Sequence, residues 1–217
     1  MNFANARLLI IFACLSAYAQ NHAKLVEVQK ISPTIVVELY FASDTNFLGK
    51  ALYPKNAKAY LLEEVALALD KVQHELARFG YGLKIMDALR PMWAQKKLWE
   101  GVLAINIKNP ENYVSNPYDE NEGGRHTRGT AIDVRLINLS DGSELSMPPL
   151  SFAQEAHQGC ITNLTADQIK NREFLKAIMM HHGFTPIRCE WWHYDYPGWR
   201  NFASIDKSFD EIEQEIF

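Results

Sequence analysis

The sequence predicts an α+β domain, with helices packed on a central, mostly antiparallel sheet and the chemistry at the strand ends. Three observations carry this expectation. Apolar residues recur at helical spacing between 57 and 79, Thr165 and Gln168 open a second long helix, and short β-branched or aromatic runs are interleaved with both. The resulting order is strand, helix, strand, helix, strand, helix, strand.

The first 19 residues stand apart. Arg7 is their single charged side chain, an apolar run follows from Leu8 to Ala19, and the run ends on the small-x-small tripeptide Ala17-Tyr18-Ala19. That is the grammar of an export signal. The run is shorter than the roughly 20 apolar residues needed to span a bilayer, so no stable membrane insertion is expected once the leader is removed. The division expected is a leader over 1–19 and one domain over 20–217, exported to the periplasm or beyond.

Within that domain, Leu25 to Gln29 and Thr34 to Phe41 read as strands, and a loop follows through Gly49 and Pro54. Leu61, Leu62, Val65, Leu69, Val72 and Leu76 mark a helix from about Ala57 to Phe79, stopped by Gly80. Leu83 to Ala88 is a short strand, and Pro91 suits the first turn of a helix reaching about Leu103. Asn106 to Arg125 is loop. Thr130 to Ile137 reads as a strand leading into the turn Asp141-Gly142. Thr165 and Gln168 form a capping box for a helix from Ala166 to His182, closed by Gly183. Ile187 to Tyr196 is aromatic and strand-like.

A chain of 217 residues buries a core without staples, so any metal is expected to serve chemistry rather than folding. The net charge of −4 has the wrong sign for a nucleic-acid partner. Beyond the leader only Cys160 and Cys189 remain of the cysteines. In an oxidising compartment they either pair or stay as two buried free thiols.

Ligand-type residues concentrate in two places. In His126-Thr127-Arg128-Gly129-Thr130-Ala131-Ile132-Asp133, an imidazole and a carboxylate seven apart converge if the chain turns at Gly129. In Glu190-Trp191-Trp192-His193 the two groups lie three apart, and a regular strand would send them to opposite faces. Their joint use requires a bulge or a strand end. Together His126, Asp133 and His193 offer two nitrogens and one oxygen, a set suited to one Zn²⁺ with a fourth position left to water. Glu190 is then placed to move the proton of the attacking water, and Arg90 to stabilise the oxyanion.

These residues, in this order, resemble the D-alanyl-D-alanine dipeptidases, the VanX-type zinc metallopeptidases. Gly124 to Asp133 stands where that family has Ser-x-His-x-x-Gly-x-Ala-x-Asp, and Glu190-Trp191-Trp192-His193 where it has Glu-x-x-His. The likeness extends to Asp87-Ala88-Leu89-Arg90-Pro91, to Asn46-Phe47-x-Gly49 with Tyr53-Pro54, and to Ala156-His157. The resemblance implies zinc ligands His126, Asp133 and His193, a general base in Glu190, transition-state assistance from Arg90, and the family's α+β fold. It also implies hydrolysis of D-alanyl-D-alanine or a closely related cell-wall dipeptide by attack of a zinc-bound water. The alternatives are a peptidoglycan D,D-carboxypeptidase or endopeptidase using the same site, and an envelope binding protein without catalysis.

Several family positions are filled differently. Gly124 replaces a Ser, Phe41 and Leu89 replace tyrosines, and Leu150 falls where the family's Asp is thought to hold the substrate's free amino group. Loss of a buried charge-assisted contact of that kind costs about 1.5 to 3 kcal/mol of binding. The substitutions point to a relaxed dipeptidase or a different wall peptide. His181 and His182 are expected to complement a helix C-terminus, Asp87 to orient Arg90, and Trp191, Trp192 and Trp199 to form core or pocket wall.

Overall fold

The computed structural model describes residues 24–106, 108–119, 124–150, 163–188 and 190–216. The expected leader, Ala156-His157, Cys160 and Cys189 lie outside them.

The first expected strand is shorter than its sequence suggests: Leu25–Glu27 (β1) gives way to a helical turn over Val28–Ile31 (α1). The second contracts to Val36–Val37 (β2), after which Tyr40–Ala42 forms a 3₁₀ turn that sends Phe41 inward. A strand the sequence hid is Tyr60–Leu62 (β3), paired antiparallel with β1. All three of its residues are buried, so they show no alternation. Leu61 and Leu62 also fit the spacing of the helix that follows, and periodicity alone therefore extends that helix backwards. The helix itself begins at Glu63 and runs to Ala77 (α2).

Tyr81–Asp87 (β4) leads through Arg90 and Pro91 into Met92–Ala104 (α3). Ala131–Asn138 (β5) matches its expected strand within a residue at each end. Ala166–His181 (α4) carries both bonds of the expected capping box. The aromatic stretch near the end forms its expected strand over Glu190–Asp195 (β7), and Thr185–Ile187 (β6), which precedes it, pairs with it antiparallel. Phe209–Ile216 (α5), for which the sequence reading made no provision, closes the chain on the buried Phe209 and Ile212.

The central sheet has the order β2-β4-β5-β7-β6, and only β2 and β4 run parallel. This is the mixed, mostly antiparallel α+β arrangement expected. Ile132, Val134 and Leu136 alternate toward one face, where they join Leu83 and Ile85 and the apolar stripes of α2 and α4. Gln73 of α2 ties the layers together: its carbonyl accepts from the backbone N–H of Leu83 at 2.8 Å and its amide donates to Thr34. Asp133 takes the opposite phase of the same alternation, which leaves it on the other face of the sheet. Among the described residues, no helix is long and apolar enough to cross a membrane.

Candidate metal centre and active site

Three neighbouring strands and one turn assemble the site. Asp87, Asp133 and His193 form a row across β4, β5 and β7, each directly opposite its neighbour. Residues opposite one another point to the same face, so the pairing register alone brings Asp133 and His193 together. His126 comes from a 3₁₀ turn, His126–Arg128, that precedes β5. The chain reverses at Gly129, whose φ of 67° lies in the left-handed region that other residues avoid, and the turn carries His126 back over Asp133.

Donor atoms converge tightly there. His126 Nε2 lies 3.1 Å from His193 Nδ1 and 3.4 Å from Asp133 Oδ1, and His193 Nδ1 lies 3.1 Å from the same carboxylate oxygen. A tetrahedral zinc ion with bonds of about 2.0–2.2 Å separates its ligands by about 3.3–3.6 Å, so one edge matches that ion and the other two lie a few tenths of an ångström inside it. The far nitrogens are anchored: His126 Nδ1 donates to the Ala88 carbonyl at 2.8 Å and His193 Nε2 to Asp195 Oδ1 at 2.8 Å. Each ring is thereby turned so that its other nitrogen faces the common point. All three residues are buried, and the group could hold a metal ion.

Glu190 is the first residue of β7. The β6–β7 register shifts between Pro186 and Ile187, which face Tyr194 and Glu190 respectively, so the strand is both starting and irregular here. That irregularity, required by the sequence spacing, brings Glu190 Oε2 to 3.6 Å from His193 Nδ1.

Arg90 is buried and held by three hydrogen bonds. Its Nε and Nη2 donate to Asp87 Oδ2 at 3.0 and 2.6 Å, and its Nη1 donates to Gln95 at 2.9 Å. Tyr53 donates to the other Asp87 oxygen, Gln95 donates onward to the Ser115 carbonyl, and the Phe41 ring lies 5.1 Å from the guanidinium carbon. Asp87 thus orients Arg90, as the sequence suggested.

The charges interact strongly. Burial raises the pKa of Glu190, with His193 pulling it down and Asp133 pushing it up. Burial opposes protonation of His193, but its bonds to Asp133 and Asp195 prevail and push its pKa up to about 10 in the metal-free protein. Burial likewise opposes the Asp133 carboxylate, and the two histidines reverse this and hold it well below its ordinary range.

The cleft around this centre is walled by Phe41, Tyr113, Gly124, Arg125, Leu150 and Trp192, among others. Three of the departures noted in the sequence therefore line it or support Arg90, whereas Leu89 is packed in the core. Gly124 has a local reason: its φ is 64°, and an added Cβ would stand 2.5 Å from the Thr127 methyl carbon. The Thr127 hydroxyl is held between the Gly124 carbonyl and Ser204, so a larger residue has little room. Arg128 is not part of the wall. It donates to the Phe202 carbonyl and, with Arg125 and Arg200, stacks about Trp199. Trp191 donates to the Pro149 carbonyl, and His74 sits on the exposed side of α2 near Asp70.

Sequence reasoning missed Asp195, Gln95 and the Ala88 carbonyl. A signal for Asp195 was present, since it follows His193 by two residues and strand alternation puts both on one face.

An α+β fold carrying a buried His-Asp-His set beside a carboxylate and a fixed arginine has the make-up of a metal-dependent hydrolase. The family described as D-ala-D-ala dipeptidase matches residues 21–214, and the chain belongs to that family. It is an enzyme, a metallopeptidase acting on peptides. The D-alanyl-D-alanine dipeptidase of Escherichia coli is 33% identical over 187 residues, spanning 86% of this chain and 91% of the relative. That of Enterococcus faecalis is 30% identical over 167 residues, spanning 71% and 82%. Among solved structures, the LdcB LD-carboxypeptidase aligns with a TM-score of 0.43 and 21% identity over 73% of this chain and 70% of its own. VanYB in complex with D-alanine-D-alanine aligns at 0.43 with 15% identity over 64% and 73%.

Proposed function

We propose that the protein is a zinc-dependent dipeptidase that hydrolyses D-alanyl-D-alanine or a closely related cell-wall dipeptide, exported by a leader over 1–19 and acting through one domain over 20–217. The observation that carries this reading is the convergence of His126 Nε2, Asp133 Oδ1 and His193 Nδ1 close to tetrahedral ligand spacing beside Glu190, in a chain of this family. His126, Asp133 and His193 would hold one zinc ion. When bound, zinc supplies Lewis-acid polarisation of the scissile carbonyl and acidifies water.

The chain's own residues do the rest. Glu190 takes a proton from the attacking water on its carboxylate and passes it to the leaving amine. Its raised pKa suits both halves of that task, because a group titrating nearer the working pH gives and takes a proton with comparable ease. Arg90, held by Asp87 and Gln95, presents a fixed positive charge to the oxyanion without reorganising during the reaction.

The test is Glu190→Ala assayed on D-alanyl-D-alanine with metal counted in parallel. Hydrolysis should fall by roughly 10²–10⁴-fold while one zinc per chain is retained. Undiminished hydrolysis would overturn the assignment of the base. Cleavage of long wall stem peptides with the free dipeptide left untouched would replace the dipeptidase reading by the carboxypeptidase or endopeptidase one.

A further inference from the structure

On the face of the sheet away from the cleft, α2 and α4 pack together and end side by side. Glu75 lies in the last turn of α2, while His181 and His182 close α4. Glu75 Oε2 is 2.6 Å from His182 Nε2 and 4.0 Å from His181 Nε2, and the two imidazoles meet edge to face with centroids 5.0 Å apart. One donor atom from each residue lies within 4.8 Å of both others. Consecutive residues on a helix diverge by about 100°. Here they converge because the helix is ending, His182 having left helical geometry with φ −93° and ψ 16°.

A plain hydrogen bond accounts for His182 and Glu75 but not for His181. That side chain is 70% exposed, gains no hydrogen bond from Glu75 at 4.0 Å, and still turns toward the carboxylate. Two imidazole nitrogens and one carboxylate oxygen make a donor set for a borderline divalent metal such as Zn²⁺, Ni²⁺ or Cu²⁺. The surroundings favour a cation as well, since two helix C-termini each direct partial negative charge at this point and Glu75 adds a full one.

We propose that Glu75, His181 and His182 form a second, peripheral site for a divalent transition-metal ion, zinc foremost, which clamps α2 to α4. The three donors leave the remaining coordination positions to water, as the exposure of His181 requires. The ion acts on the helix pair that covers the core and takes no part in hydrolysis, which occurs across the sheet.

Metal content per chain, measured by plasma emission after dialysis of the full chain against zinc buffered at micromolar free concentration, tests this. The expected result is two zinc ions per chain, falling to one in His181→Ala and in Glu75→Gln with peptide hydrolysis unchanged in both. His126→Ala, which removes a donor from the cleft, should keep one ion and still gain melting temperature on adding zinc. Adding His181→Ala to that variant should abolish the gain. A zinc count that His181→Ala leaves unchanged, whether one ion or two, overturns the proposal. Neither result bears on Glu190 or on the substrate, so this site and the catalytic reading fail separately.

Discussion

Asp195 governs His193. Its Oδ1 fixes the Nε2 proton, leaving Nδ1 free for a metal, and its Oδ2 lies 3.0 Å from Arg125 Nε in the cleft wall. Removing such a partner costs roughly 10–100-fold in metal affinity. Asp195→Ala should therefore lose zinc by that factor in a chelator competition while the fold, read by circular dichroism, is kept. An unaltered affinity would show that β7 alone orients the ring. The four side chains that converge, His126, Asp133, Glu190 and His193, were legible as candidates from residue type and spacing, because metal chemistry restricts donors to few side chains. Asp195 and Gln95 were not, because the carboxylates and amides that support a site look like any others until their partners are known.

Turns and caps decide whether the elements present these side chains correctly. Gly129 reverses the chain between His126 and Asp133, and an added Cβ there would meet Leu25 at 3.2 Å and the backbone nitrogen of Leu62 at 3.3 Å. Gly129→Ala should destabilise the protein by about 1–2 kcal/mol through left-handed strain alone and weaken zinc binding further by moving His126. Urea unfolding and zinc titration of the same variant measure the two effects. Thr165 offers a contrast: it caps α4 on an exposed surface, with Gln168 returning the bond. Thr165→Ala should cost about 1 kcal/mol in the same unfolding measurement and leave zinc affinity unchanged. Such local signals were readable because they depend on a few consecutive residues. The extent of β1, β2 and β3 was not, because short strands are stabilised by partners far along the chain.

At the scale of the molecule, a metal ion held as proposed would compete with protons for one buried cluster. In the metal-free protein the pKa of His193 is raised to about 10, so the stability it contributes is complete below its ordinary pKa near 6.5 and is lost as pH rises toward 10. Asp133 is depressed, so its contribution is present above its ordinary value of 3.8 and is lost as pH falls below that. The metal-free protein should therefore melt at lower temperature at pH 9 than at pH 6. Zinc loading has the opposite sign, since the ion must displace the His193 proton and binds more tightly as pH rises. Scanning calorimetry with and without a chelator should show a zinc-induced rise in melting temperature that widens from pH 6 to pH 9. Saturation at 100 times the dissociation constant corresponds to about 2.7 kcal/mol. A rise that narrows with pH would contradict the proton displacement.

By itself the sequence determined the α+β class, the long helices with their caps, and the candidate donors that the fold brings together. Each of these follows from local periodicity or from the chemistry of single side chains. Only the tertiary structure decided that Asp133 stands opposite His193, that Asp195 and the Ala88 carbonyl orient the rings, and that Glu75 meets His181 and His182 from more than a hundred residues away. The physical reason is the same in each case. Strand register and helix packing are set by contacts summed over the whole core, and no short window of sequence contains that sum.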